Sequence, residues 1–211
     1  SRGLGDVYKR QVFERAVAFG KKHGIVIVND NPYSFILNTD RQSIFQVEGA
    51  RDIAIELNSL SKAHNMAGWR MGMIATNPTF MSWILKVKSN IDSGQFKPLM
   101  LAAAAALKQD EDWFTGLNAE YKLRRQAGEE VMRAMNVEFD PDQRGMFLWG
   151  RIPDSIPSGE AFVDMILNEA RVFITPGFIF GKNGKRYVRI SLCAPVEKLK
   201  EAARRISACL K

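Results

Sequence analysis

The 211 residues are 46% hydrophobic and 25% charged, with 16 Gly and 8 Pro, proportions that exclude a collagen-like, low-complexity or wholly disordered chain. No apolar run approaches the roughly 20 residues of a membrane-spanning helix, and two cysteines, Cys193 and Cys209, cannot staple a fold of this size, which favours a reducing, cytoplasmic compartment. The net charge of +7 is spread among acids, as where Lys198, Arg204 and Arg205 interleave with Glu197 and Glu201; this describes a solvated surface rather than a nucleic-acid interface, and it suits small anions.

In chain order, residues 1–11 show no apolar period that continues beyond Gln11 and are set aside as a leader foreign to the fold. An amphipathic helix comes next, with Val12, Phe13, Ala16, Val17 and Phe19 on its apolar side and Lys21, Lys22, His23 and Gly24 as its stop. The β-branched run 25–28 predicts a strand buried on both faces of a parallel sheet, ending in Asn29, Asp30, Asn31, Pro32 and Tyr33. A second strand over 52–57 ends in Asn58, Ser59, Leu60, Ser61 and Lys62, and a third spans 71–76. Helices are predicted over 79–90 and 97–109, separated by the breakers Gly94 and Pro98. Asp110 caps a long helix with Trp113, Leu117, Tyr121, Gly128, Val131 and Met135 along its apolar side. Short strands are predicted over 137–139, 146–150, 172–175 and 187–192, with helices over 158–170 and from Pro195, the last presenting Leu199, Ala203, Ile206 and Leu210. The pattern predicts an α/β fold: a large domain over 12–110 with a mostly parallel sheet and flanking helices, an interdomain helix over 111–135, and a small α+β domain over 136–211.

Ligands of open α/β sheets sit at the carboxyl ends of the strands. Asp30 and Tyr33 follow one such end; Ser59, Ser61 and Lys62 follow another. Singly, each is an ordinary loop residue. Together they match the needs of pyridoxal phosphate: an amine from Lys62, an anion from Asp30 for the pyridine nitrogen, a phenol from Tyr33, and hydroxyls and a guanidinium from Ser59, Ser61 and Arg70 for the phosphate.

The ordered set Asp30-x-x-Tyr33, Ser59-x-Ser61-Lys62, Gly68-Trp69-Arg70-x-Gly72 and Tyr187-Val-Arg189 resembles the class I/II aminotransferases of pyridoxal-phosphate fold type I, in the aspartate aminotransferase superfamily. The resemblance runs from Val12 to the end. It implies that Lys62 forms the internal aldimine, Asp30 pairs with the pyridine nitrogen, Tyr33 bonds the phenolate oxygen, Ser59, Ser61 and Arg70 hold the phosphate, and Arg189 binds the substrate carboxylate. No counterpart of the family's small-residue phosphate loop, ring-stacking aromatic or phenolate asparagine precedes Asp30. The chain is therefore expected to be the C-terminal half of such an enzyme, with an incomplete large domain and weak activity in isolation.

The resemblance further implies amino acid and 2-oxo acid substrates, a homodimer in the full-length form, and no metal, nucleic acid or membrane partner. Asn31-Pro32 and His64-Asn65-Met66 look like a subgroup that includes alanine and LL-diaminopimelate aminotransferases. Asn77-Pro78-Thr79 differs from the family's Asn-Pro-Thr-Gly loop at Phe80 and reads as a helix cap; His23 reads as a helix-end residue, and His64, beside Lys62, as either a contact to cofactor or substrate or a structural loop residue. Gly94, Gln95 and Phe96, Gly145, Met146 and Phe147, and Gly177 and Phe178 sit where the family brings loops near the substrate. A carbon–sulfur β-lyase of the same fold and the ligand-binding domain of a transcription regulator are the alternative functions.

Overall fold

The computed structural model describes residues 10–210. These form two compact units that meet in sequence at Thr115 and Gly116. Residues 1–9 of the segment set aside as a leader lie outside the described residues; Arg10 and Gln11 open the first helix.

That helix, α1 (Arg10–His23), ends on Lys21, Lys22 and His23, cations suited to the negative end of its dipole. It buries Phe13, Val17 and Gly20, an i, i+4, i+7 stripe packed against Ile44, Ala50 and Ala54. The expected apolar side was wider: Val12 and Phe19 are 45% and 54% exposed. Only one narrow stripe meets the sheet, and Phe19 instead leans on His23, ring centroids 4.6 Å apart.

Strand β1 (Ile27–Asp30) runs parallel to β2 (Ala54–Ser59), with Ile27 opposite Ala54 and Asp30 opposite Leu57. Between them lie a 3-10 turn at Ile44–Gln46, closed by a reciprocal Ser43–Gln46 capping box, and the short helix α2 (Ala50–Ile53). Because α2 takes up Asp52 and Ile53, β2 starts two residues later than predicted and carries Asn58 and Ser59 as strand residues. After β2 come α3 (Leu60–Ala63), a 3-10 turn at Ala67–Trp69, and β3 (Gly72–Thr76), which returns antiparallel to β2.

The first unit departs from two expectations. The sheet of the first unit is not mostly parallel: of its two pairings, one is parallel and one antiparallel. A parallel partner needs a crossover helix, and only two short helical turns separate β2 from β3, so the chain reverses. Nor is the 25–28 run buried on both faces. Ile25 and Val26 precede the strand and are 44% and 43% exposed, and Val28 is 56% exposed, because β1 is an edge strand whose cover lies over Ile27 and Asn29.

Helix α4 (Pro78–Ile91) is capped by Asn77, whose side chain accepts from the Phe80 N–H at 2.9 Å, as its sequence suggested. In α5 (Lys97–Ala106), Pro98 sits in the first turn, where its missing N–H is harmless, rather than between helices. Asp110 opens α6 (Glu111–Ala134) by accepting from the N–H groups of Asp112 and Trp113.

The second unit holds a four-stranded antiparallel sheet in the order β4 (Glu138–Phe139), β5 (Phe147–Arg151), β7 (Tyr187–Ser191), β6 (Thr175–Pro176). Helices α7 (Gly159–Ala170) and α8 (Val196–Cys209) contribute Phe162, Ile166, Leu199 and Ile206 to its core, beside Leu148, Val188 and Ile190 of the sheet. A Cβ at Gly128 of α6 would meet Leu148 and Leu192 at 2.9 and 3.0 Å, so that helix presses on the sheet through bare backbone. The alternate residues Phe147, Trp149, Tyr187 and Arg189 line the half-buried opposite face. Among the described residues, no helix is long and apolar enough to cross a membrane.

The narrow stripe of α1 predicts unequal costs along one helix. Phe13→Ala is expected to lower stability by about 3–5 kcal/mol, and Phe19→Ala by less than about 0.5 kcal/mol, as measured by urea unfolding of each variant.

Candidate active site

The parallel pair fixes the first part of the site. The ladder continues past Asp30 through the Asn31 N–H, which donates to the Leu57 carbonyl at 2.8 Å, and the chain then turns at Tyr33, whose carbonyl accepts from the Ile36 N–H. Strand pleating puts Asp30 on the same face of the sheet as Leu57 and Ser59. Asp30 is exposed at the carboxyl end of β1. At the end of β2, Ser59 caps α3 by accepting from the Ser61 N–H at 3.1 Å, and this tight turn carries Lys62. The Lys62 ammonium lies over the Tyr33 ring, 5.8 Å from its centroid. Four of the predicted groups, Asp30, Tyr33, Ser59 and Lys62, thus gather at the ends of two neighbouring strands, with Ser61 in the same turn as Lys62.

Arg70 is held differently. It adopts a left-handed backbone (φ 53°), is exposed, and donates from its guanidinium to the Ala67 carbonyl at 3.1 Å, within its own loop. The loop itself is anchored beside Ser59, since Gly72 pairs with Ser59 and the Leu60 N–H donates to the Met71 carbonyl. Arg189 belongs to the second unit, midway along β7 and opposite Trp149 and Thr175. Of the loop residues singled out as near the substrate, Phe178 is exposed, whereas the Phe147 ring lies under the Arg189 guanidinium, as does that of Phe180, which was not singled out.

Several residues that hold this arrangement were not singled out from the sequence. Glu56, 6% exposed in the middle of β2, accepts from the Asn29 amide (3.0 Å), the Ser43 hydroxyl (2.9 Å), the Ile44 N–H (3.0 Å) and the Asn58 amide (3.1 Å). It joins β1, β2 and the segment leading back from Tyr33 at one buried carboxylate. A lone Glu in the otherwise apolar stretch 53–57 was the available signal. The second fastening is the first turn of α6. The Trp113 indole donates to the Ala63 carbonyl at 2.9 Å, beside Lys62. Arg41 forms a fork with Glu111 at 2.6 and 2.9 Å while lying over the rings of Phe35 and Phe114, 4.7 Å from each centroid. Hydrogen bonding from Arg41 is the main reason the Glu111 carboxyl titrates below its ordinary range. No sequence pattern marked this contact, which joins residues 70 positions apart.

His64 is edge-on to Phe114, centroids 5.6 Å apart, and its Nδ1 is buried without a hydrogen-bond partner. Burial pushes its pKa below the ordinary 6.5. It packs against Phe114 in the loop that follows Lys62. Among the described residues no cluster of three or more His, Cys, Asp or Glu is placed to hold a metal ion.

The donor set fits pyridoxal phosphate. A carboxylate, a phenol, a primary amine and two hydroxyls share the strand ends, with the Arg70 loop paired beside them.

The model of the family described as "Aminotransferase class I and II" matches residues 3–206. The LL-diaminopimelate aminotransferase of Gloeobacter violaceus is 38% identical over 206 residues, 97% of this chain and 53% of that protein. The glutamate-pyruvate aminotransferase AlaC of Escherichia coli is 35% identical over 202 residues, 94% of this chain and 49% of the relative. Among solved structures, substrate-bound BacF from Bacillus subtilis superposes with a TM-score of 0.90 at 31% identity, covering 98% of this chain and 53% of that one. A probable N-succinyldiaminopimelate aminotransferase from Thermus thermophilus gives 0.87 at 31% identity, covering 96% and 55%. The chain spans about half the length of the curated relatives it matches.

Two outcomes test these fastenings. Glu56→Ala leaves buried donors unpaired and is expected to cost about 3 kcal/mol or more, with faster amide exchange at Ile44 in hydrogen–deuterium measurements. For His64, the folded chain binds its proton less readily than the unfolded chain does, so stability falls as pH drops below about 6.5 toward the folded value. An NMR titration midpoint below 6.5, together with loss of that acid-side fall in His64→Phe, is the expected result.

Proposed function

Since the chain belongs to the class I and II aminotransferases, we propose that it serves pyridoxal-phosphate-dependent transfer of an amino group between an amino acid and a 2-oxo acid, with Lys62 as the group that binds the cofactor and moves the proton. The observation that carries this reading is the placement of the Lys62 ammonium over the Tyr33 ring at the strand ends that also bear Asp30 and Ser59.

When bound, pyridoxal phosphate supplies an electron sink for negative charge developing at the substrate α-carbon. The chain supplies the rest. The Asp30 carboxylate would accept a hydrogen bond from the pyridine N–H and hold the proton there, and Tyr33 would donate its hydroxyl to the phenolate oxygen. Ser59, Ser61 and Arg70 would hold the phosphate, the Arg70 guanidinium now bonding the Ala67 carbonyl in its own loop. Lys62 sits on a flexible four-carbon stem in the short helix α3, so its neutral amine can take a proton from the α-carbon and deliver it elsewhere on the same face. Arg189 grips the α-carboxylate as a planar fork, which fixes the bond that breaks. Diaminopimelate and glutamate, taken from the names of the relatives, are the amino donors to test first, with pyruvate as an acceptor.

Incubation with pyridoxal phosphate, borohydride reduction and peptide mapping test the assignment of Lys62. A stable adduct on the Lys62 peptide, at least about tenfold above any other lysine and absent from Lys62→Ala, is expected. Labelling spread evenly over exposed lysines such as Lys21 and Lys22 overturns it.

A further inference from the structure

Arg189 sits in an aromatic setting that its strand position alone does not require. Its guanidinium carbon lies over the ring of Phe147, 4.2 Å from the centroid, and over that of Phe180, at 4.0 Å. Phe147 comes from β5, the strand paired with β7. Phe180 comes from the 3-10 turn Gly177–Phe180, which folds back onto the same face. Trp149, directly opposite Arg189 in register, stacks on Tyr187 (5.2 Å, 13°) and meets Phe180 edge-on (5.8 Å, 67°), so the covering ring is itself braced.

The turn can approach this closely only through glycine. A Cβ at Gly177 would lie 2.5 Å from the Gly184 carbonyl, 2.7 Å from the Tyr187 carbonyl and 2.9 Å from the Trp149 ring. Any side chain there would lift the turn, and Phe180 with it, away from β7.

We propose that Phe147 and Phe180 are positioning residues that clamp the guanidinium plane of Arg189, so that its N–H fork selects planar carboxylates over tetrahedral oxyanions of the same charge. The proposal rests on the reading of Arg189 as the carboxylate-binding group. Rings over the guanidinium favour one orientation of its plane, and the N–H donors lie in that plane. A carboxylate satisfies two parallel N–H bonds within the plane. A sulfonate presents its third oxygen out of the plane, where the rings stand. The clamp also removes rotamer freedom from the arginine before the ligand arrives, so less is lost on binding.

The test tracks the Arg189 Nε–Hε resonance of the full 211-residue chain by NMR, assigned by its loss in Arg189→Lys. The probes are propionate and ethanesulfonate. In the wild-type chain, ring currents are expected to displace the Arg189 side-chain protons upfield, and propionate is expected to bind more tightly than ethanesulfonate. Phe180→Leu and Phe147→Leu, read separately, are expected to cut that preference by about threefold to tenfold and to return the resonance toward that of a solvent-exposed arginine. Phe180→Tyr is expected to keep both. Absence of ring-current displacement in the wild type overturns the clamp whatever the variants do. Unchanged preference in a folded leucine variant, with propionate binding lost in Arg189→Lys, overturns the clamp and leaves the carboxylate reading standing. An Arg189 signal that propionate does not move overturns both.

Discussion

The first unit depends on a carboxylate that water hardly reaches. Glu56 stands in β2 with both oxygens committed: Oε2 accepts from Asn29, Ser43 and the Ile44 N–H, and Oε1 accepts from Asn58. A buried charge is expensive unless its hydrogen-bonding capacity is filled. Here the four donors come from β1, from β2 itself and from the segment that returns from Tyr33. The chain can satisfy the carboxylate only by bringing those three pieces into one register, and that register is what sets Asp30 opposite Leu57, with Ser59 two residues further along β2. The polar centre thereby acts on the geometry of the candidate site at the strand ends without touching it.

Most of the candidate set was legible in the sequence because it is local. Asp30 and Tyr33 share one turn, and Ser59, Ser61 and Lys62 another, so spacing alone placed them together once both strands were recognised. The Asn77 and Asp110 caps were legible for the same reason, as each side chain bonds a backbone N–H two or three residues ahead. What escaped was long-range or subtractive. Arg41 finds Glu111 across 70 residues, and Trp113 reaches the Ala63 carbonyl across 50, with no periodic pattern to announce either. The β-branched run at 25–28 was read as doubly buried because hydrophobicity records what a strand could bury and not what lies over it; Val28 is 56% exposed. The direction of β3 was lost because strand periodicity is the same in either direction.

Two arginines in this chain are held by the same device for different ends. Arg41 lies over Phe35 and Phe114 while its fork closes on Glu111, which makes it a fixed strut between the loop after Tyr33 and the first turn of α6. Arg189 lies over Phe147 and Phe180 at shorter distances on the half-buried face of the second sheet. Aromatic faces suit guanidinium because it is weakly hydrated and planar, so stacking costs little desolvation and leaves the edge donors available for geometry-sensitive bonding. A lysine at either place would keep the charge and lose the plane.

The exposed apolar residues on the first sheet have a consequence for how the molecules treat one another. Val28 and Ile74 stand in β1 and β3, the two outer strands of a three-stranded order, and are 56% and 41% exposed. Outer strands with bare apolar side chains are templates for edge-to-edge association. The net charge of +7, first read as a solvated surface that suits small anions, opposes that approach by mutual repulsion. Such repulsion reaches about 10 Å at 0.1 M salt and about 3 Å at 1 M. Raising the ionic strength therefore shortens the distance over which charge alone holds these exposed strands of two copies apart.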